Sequence, residues 1–340
     1  MSVDLEGDPA GVMAALVRVM GRGPSRARSL TREEAETAMR LILEGAAPPE
    51  AVGALLMLMR YRGETAAEIA GFADAMRARI SGWRGVGAEI DWPSYAAGRS
   101  RGLPWFLLSA KLLAAAGAPV LIHGWNSHQQ SAADVRAPLA MLGVPVVETP
   151  ASARSALRDA GDAGVAYAPL EAIDPRLLEL LSLRDVLGLR SAVNTCLRVL
   201  NPSGAEASVQ GVFHPPYRAL QQEAGALLGQ RRLLVLKGAG GEFERHPAKA
   251  VALFGLSAGA PFEAAAPALM DETRRLADAA PDPAHLLALW RGERADPFAE
   301  AIVIGTAALA LFAAGSAADL PAAEARAAAL WAARRARSAA

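Results

Sequence analysis

Apolar and polar positions alternate along the chain with two periods, and the change of period divides it. Residues 10–20 form an apolar-rich stretch that ends at Gly21. Thr31 followed by Glu34 makes a capping box and opens a helix that runs to about Glu44 and stops at Gly45. Pro48-Pro49 begins the next helix, whose residues 52–59 are almost continuously apolar and therefore buried. Thr65 with Glu68 repeats the capping signal for a helix to about Ile80. These elements predict an α-helical domain over residues 1–82.

After Ser81-Gly82 short apolar runs alternate with helical patterns. Strands are expected at 86–92, 119–122, 144–147, 165–167, 207–212 and 232–236. Helices are expected at 103–116, 132–142, 151–160, 175–181, 186–199, 216–228, 269–276, 283–291, 298–314 and 321–336. Alternation of this kind predicts an α/β domain over residues 83–340, with a mainly parallel sheet flanked by helices.

Composition narrows the function. The chain has 340 residues, 52% of them hydrophobic, and 35 cationic against 35 anionic side chains. That excludes disorder and bulk polycation binding. Yet only three of the 35 cations are lysine (Lys111, Lys237, Lys249), and arginine is the residue suited to bidentate phosphate contacts. A single cysteine, Cys196, excludes a disulfide framework and fits a reducing, cytoplasmic compartment. Residues 301–318 are uncharged, but their many alanines and acidic flanks read as a buried helix, and no membrane association is expected.

Ligands of open α/β sheets sit at the carboxyl ends of the strands, so the loops there carry the candidate chemistry. The first, 93–102, places Arg99 and Arg101 around Ser100 and has only two glycines, Gly98 and Gly102. Anion binding there falls to side chains rather than to a glycine cradle. The second opens with His123-Gly124; His123 and His128 do not make a metal site without a nearby carboxylate. The third cluster carries Arg184, Arg190 and Arg198, the last two being about two helical turns apart and so on one face. The fourth has His214, Tyr217 and Arg218 at a helix start. The fifth follows a strand with Lys237, a glycine-rich turn, and Glu242 and Glu244, the carboxylates to consider for Mg²⁺. Residues 93–102 and 183–201 hold five arginines and one acid, a local charge of +4 within a neutral chain. Together these loops predict an anionic, phosphate-bearing ligand.

The stretch from Leu30 to Arg77 (LTREEAETAMR…FADAMR), the His123-Gly124 pair, LRDVLGLRSAVNTCLRVLNP and LVLKGAGGE resemble anthranilate phosphoribosyltransferase and its relatives in glycosyl transferase family 3. The resemblance spans roughly residues 10–335. It implies the nucleoside-phosphorylase-like fold, a cleft between two domains, and a homodimer formed through the helical domain. It also exposes departures. Where the family carries the glycine loop G-T-G-G-D-G for phosphoribosyl pyrophosphate, this chain has Pro93, Ser94, Tyr95 and, at its end, Gly98. The family's K-H-G-N-R has become Ile122-His123-Gly124-Trp125-Asn126, without the lysine. The acidic pair for Mg²⁺ falls on Phe243-Glu244.

These replacements resemble the bacterial YbiB-type paralogues, which carry P-S-Y with a following arginine, a G-R-G turn, N-(S/T) after the arginine helix, and H-P-x-Y. The chain has Pro93-Ser94-Tyr95 with Arg99, Gly21-Arg22-Gly23, Asn194-Thr195, and His214-Pro215-Pro216-Tyr217. That likeness implies sequence-independent binding of DNA or RNA by a homodimer. Arg99, Arg101, His123, Arg184, Arg190, Arg198, His214, Tyr217, Arg218 and Lys237 would meet phosphates or bases, with no catalytic residue and no cofactor. The alternative is a phosphoribosyl or pentosyl transferase with an altered acceptor, in which Glu244 would hold Mg²⁺.

Overall fold

The structure is a computed structural model of the full chain and describes residues 3–23, 25–95, 102–125, 134–158, 164–272, 274 and 282–338. Four helices open it: α1 (Pro9–Gly21), α2 (Arg32–Leu43), α3 (Pro49–Arg62) and α4 (Ala66–Arg79). Both expected capping boxes form. The Thr31 and Thr65 hydroxyls accept from the amides of Glu34 and Glu68, and each glutamate reaches back to the cap amide. Glu68 is fully buried and also accepts from the Leu30 amide at 2.8 Å, so one carboxylate ties α4 to the start of α2.

The α/β portion runs β1 (Ile90–Ser94), α5 (Phe106–Ala115), β2 (Val120–Gly124), α6 (Pro150–Arg158), β3 (Val165–Pro169), α7 (Leu170–Ile173), α8 (Pro175–Ser182), α9 (Arg184–Leu187), α10 (Val193–Arg198), β4 (Ala207–Val212), α11 (Tyr217–Leu227), β5 (Arg232–Lys237), β6 (Val251–Ser257), β7 (Ala260–Ala266), α12 (Ala284–Arg291), α13 (Pro297–Ala313) and α14 (Leu320–Ser338). The seven strands form one sheet in the order β3-β2-β1-β4-β5-β6-β7. The first five pair in parallel, and β6 and β7 add antiparallel. The expected helical domain beside a mainly parallel sheet is thus observed.

Two apolar clusters organise the layers. One joins the sheet to α5, α13 and α14 and includes Trp92, which stacks on Phe106 at 5.7 Å and meets Phe243 edge-on at 5.4 Å. The other joins α1–α4 to Leu177, Leu180, Val193, Cys196 and Leu197. The helical layer is therefore completed by residues from between β3 and β4. The uncharged stretch expected to be a buried helix is α13, which packs in the first cluster. Among the described residues, no helix is long and apolar enough to cross a membrane.

Several expected elements differ. Residues 134–143 form turns rather than a helix, and the strand expected at 144–147 is reduced to a single bridge from Val146 to Tyr167. The helix expected over 186–199 breaks at Gly188, whose φ of 70° ends α9 in the left-handed region. Residues 269–272 are not helical. The β6–β7 hairpin has no counterpart in the expected elements; Ala258 (φ 50°) and Gly259 (φ 86°) turn it, the positive pair that suits the twist of a two-residue hairpin.

Candidate functional site: an arginine pocket beside a filled loop

A buried polar chain runs from the carboxyl ends of β1 and β2, at Tyr95 and His123, back to Asp91 and Ser208 near the starts of β1 and β4. Asp91 and His123 are fully buried, with His123 Nε2 3.1 Å from Asp91 Oδ1. The Tyr95 hydroxyl stands 3.0 Å from His123 Nδ1. Neither His123 Nε2 nor Asp91 Oδ1 has a hydrogen-bond partner among the described residues, so the tyrosine contact is the hydrogen bond that holds the imidazole there. Asp91 Oδ2 accepts from Ser208 Oγ at 2.8 Å, and Ser208 Oγ accepts from Gln210 at 3.2 Å. Burial drives the Tyr95 hydroxyl pKa well above its usual value, so the ring stays neutral. Gly124 permits this packing, because a Cβ there would fall 1.7 Å from the Ser94 carbonyl oxygen.

Pro93 and Ser94 are the last residues of β1 and are buried, and Tyr95 is only 2% exposed. The Tyr95 ring is thus packed inside the protein directly after β1. Gly98, Arg99 and Arg101 lie outside the described residues, as do Asn126 and His128. His123 is enclosed between Asp91 and Tyr95, so burial removes it from the expected set of ligand-contacting residues.

Beside Tyr95 and His123 lies a pocket of about 80 Å³ between the helical layer and the sheet, lined by Arg60, Arg190, Asn194, Arg198, His214 and Tyr217, among others. Four residues expected at a phosphate site therefore converge here: Arg190, Arg198, His214 and Tyr217. Arg190 and Arg198 do not share a helix, because Gly188 interrupts it and α10 begins at Val193, yet both reach the same pocket.

Arg198 is 6% exposed. Its Nη1 donates to the Asn194 carbonyl at 2.8 Å, and Nη2 has no partner among the described residues. Burial, opposed by the field of Glu242 and reinforced by Arg190, holds its pKa below the usual value. Burial, followed by the charges of Arg184 and Arg60, does the same to Arg190. Arg60 Nη1 donates to the Tyr217 hydroxyl at 2.7 Å, and that hydroxyl donates to Glu64 at 3.0 Å. Three guanidinium groups crowd one concavity, and the carboxylate at its rim is taken up by Tyr217. An anion entering the pocket would relieve the repulsion and complete the hydrogen bonds of Arg198.

The other expected contacts lie outside this lining. Arg184 pairs with Asp185 at 3.4 Å, and its charge still reaches Arg190. Arg218 donates to the Pro215 carbonyl and lies 4.8 Å over the Phe254 ring. Lys237 is exposed at the end of β5, in register with Val212 of β4 and so at the same sheet edge. Arg60 was missed by sequence reasoning: it closes a buried-looking helix 130 positions before Arg190, and nothing local marks it.

The acidic pair expected for Mg²⁺ is committed elsewhere. Phe243 is buried against Trp92, and Glu244, 1% exposed, accepts from the Phe106 amide at 3.0 Å at the start of α5. Among the described residues no group of three His, Cys, Asp or Glu side chains could hold a metal ion.

Residues 13–80 match the glycosyl transferase family, helical bundle domain. The chain is 33% identical to an anthranilate phosphoribosyltransferase of Methylocella silvestris over 67% of its own length and 64% of that relative's. It is 35% identical to one of Haloferax volcanii, over 66% of each chain. The alignments thus span just under two thirds of these curated relatives. Among solved structures, the anthranilate phosphoribosyltransferase of Thermus thermophilus superposes over 96% of this chain and 95% of its own, with a TM-score of 0.76 and 26% identity. The Saccharomyces cerevisiae anthranilate phosphoribosyltransferase in complex with PRPP and Mg shares the fold at a TM-score of 0.72 and 14% identity, over 95% of this chain and 94% of its own.

Proposed function

We propose, for a chain that is anthranilate phosphoribosyltransferase-like in its helical bundle and in its whole fold, that it binds the phosphate backbone of nucleic acids without reading their sequence and does not transfer phosphoribosyl groups. One observation carries this reading: the buried, half-satisfied guanidinium of Arg198 beside Arg60 and Arg190. A buried cation without a carboxylate partner is costly unless an anion completes it. Phosphate oxygens match guanidinium geometry, and Lys237 extends positive charge along the sheet edge.

The buried Tyr95 supports the second half of the proposal. A pyrophosphate donor needs backbone amides at close range and a metal to spread its charge. Here the Tyr95 ring is buried directly after β1, and Glu244 accepts from the amide that starts α5. The likeness to the YbiB-type paralogues points the same way, and a homodimer through residues 1–82 belongs to the same proposal, tested by light scattering.

Fluorescence anisotropy with a labelled mixed-sequence oligonucleotide tests the binding. We expect affinity that falls linearly in log–log form with salt. Absence of binding at ~50 mM salt, where phosphate contacts are strongest, refutes it. The second reading, transfer to an altered acceptor, is favoured by the activity named for the 33–35% identical relatives. Calorimetry with phosphoribosyl pyrophosphate, run with and without Mg²⁺ and beside inorganic phosphate, separates the two: heat that requires Mg²⁺ and exceeds that of phosphate supports transfer, and Mg²⁺-independent heat no stronger than that of phosphate supports a binding protein.

A further inference from the structure

Helix α11 has an arginine cluster at each end. Its amino end, at Tyr217, borders the pocket described above. Beyond its carboxyl end a second pocket of about 240 Å³ opens at the opposite edge of the sheet, where β4 and β5 begin. Arg77, Arg84, Asn201, Gly204, Glu206 and Arg231 are among the residues that line it.

The charges in this second pocket do not cancel. Arg77 reaches in from α4 and donates to the carbonyls of Leu200 and Val199, both at 2.8 Å, with no carboxylate at hydrogen-bond distance among the described residues. Burial lowers its pKa, with Asp91 and Asp74 opposing and the charge of Arg84 adding to the shift. Arg84 is exposed, and among the described residues its side chain makes no hydrogen bond or ion pair. Its side chain lies over Gly204, where a Cβ would stand 3.2 Å from Arg84 Cγ and 3.3 Å from Nε. Gly204 has a φ of 67°, so a side chain there would strain the turn as well as displace the arginine. Arg231 is 3.7 Å from Glu206, but that carboxylate is also 3.5 Å from Arg232 and is shared. Three guanidinium groups therefore face the cavity against one divided carboxylate.

Ile80, Pro202 and Leu228 form an apolar wall beside these cations. The combination suits a small ligand with a phosphate head and a less polar body, and the cavity is far too small for a duplex. We propose that this pocket is a second anion site, separate from the sheet-edge pocket, and that it binds a phosphate monoester. Arg84 and Arg231 would clamp the phosphate while Arg77, anchored on the carbonyls, supplies fixed positive charge.

The test uses inorganic phosphate as the probe, titrated calorimetrically into the full chain in chloride buffer. Arg190→Ser, made together with Arg198→Leu, strips two of the three guanidinium groups from the sheet-edge pocket and isolates the second one. In that background we expect one phosphate equivalent to remain, and Arg84→Ser to weaken it at least about tenfold, the loss expected for one charge-assisted hydrogen bond. Arg231→Ser is expected to do the same, and Arg84→Lys to recover part of the affinity. Both arginines are exposed at the rim, so circular dichroism and the urea midpoint without phosphate should match the parent. Unchanged phosphate affinity in Arg84→Ser and Arg231→Ser overturns the proposal. So does a protein with Arg190→Ser and Arg198→Leu that takes up no phosphate at ~10 mM. If oligonucleotide binding fails while the Arg84-dependent phosphate equivalent persists, the nucleic-acid reading falls and the second site stands.

Discussion

The Tyr95 hydroxyl and His123 Nδ1 stand 3.0 Å apart, both residues buried, and this contact joins the residue that follows β1 to β2. The ring fills volume, and the hydroxyl satisfies an imidazole whose other nitrogen faces Asp91. Tyr95→Phe keeps the volume and removes only the hydroxyl, leaving Nδ1 buried and unpaired. The expected loss is about 1–3 kcal/mol, the cost of an unsatisfied buried polar group. Urea denaturation measures it, and a midpoint equal to the parent's would show that the pair contributes nothing to stability.

Arg198 predicts a conflict between stability and binding. Its Nη2 is buried without a partner among the described residues, and only one of its hydrogen bonds, to the Asn194 carbonyl, is made there. Arg198→Leu removes a desolvated charge and fills much of the same space. The variant is expected to be as stable as the parent or more stable, by up to about 2 kcal/mol. It is also expected to bind oligonucleotides at least about tenfold more weakly, since one charge-assisted contact is lost. Thermal denaturation paired with anisotropy reads both. A variant that loses stability and keeps its affinity would assign Arg198 a purely structural role.

How much of this was legible in the sequence depends on distance along the chain. Thr31 with Glu34 and Thr65 with Glu68 are local signals, and both helices start where they indicate. The parallel strands β1–β5 were legible because each is a short apolar run between helical patterns. The β7 strand was not, because Ala260–Ala266 is largely alanine with weak β preference and is held in place by its partner β6. At the site, Arg190, Arg198, His214 and Tyr217 stood out as clusters near strand ends. Arg60 could not, since it reaches the pocket only in the folded chain, where it donates to the Tyr217 hydroxyl 157 positions away. His123 misled in the other direction: a histidine after a buried strand looks poised for a ligand, and only its two partners show it enclosed. Glu244 misled similarly, since its backbone-amide partner Phe106 lies 138 positions away.

Cys196 offers a probe of the helical layer. Its thiol is buried between α10 and α4, with Sγ 3.9 Å from the Ile69 carbonyl, and burial raises its pKa well above the usual thiol value. Thiolate, not thiol, attacks disulfide reagents. The folded protein is therefore expected to be unreactive toward such a reagent at neutral pH, and the urea-unfolded protein to release one equivalent, since the chain has one cysteine. Rapid reaction of the folded protein would mean that α10 separates readily from α4.

Glu34 sets an acid limit on the same layer. Its carboxylate accepts from Arg28 Nη1 and Nη2, both at 2.6 Å, and from the Thr31 amide at 2.9 Å. The Arg28 hydrogen bonds are the largest cause of a pKa below the usual 4.5, with burial opposing them. A carboxyl whose folded pKa is depressed binds more protons when unfolded. It therefore stabilises the fold above the unfolded value and loses that contribution as pH falls through the folded value. Glu34→Gln retains a capping side chain at this position but has no charge to titrate. The parent is expected to exceed the variant by about 1 kcal/mol at pH 7, a typical cap contribution, and the gap should close progressively below pH 4.5. Urea midpoints of both proteins across that range test this, and a gap that stays constant as the pH falls would show that the Arg28–Glu34 pair does not set the acid limit.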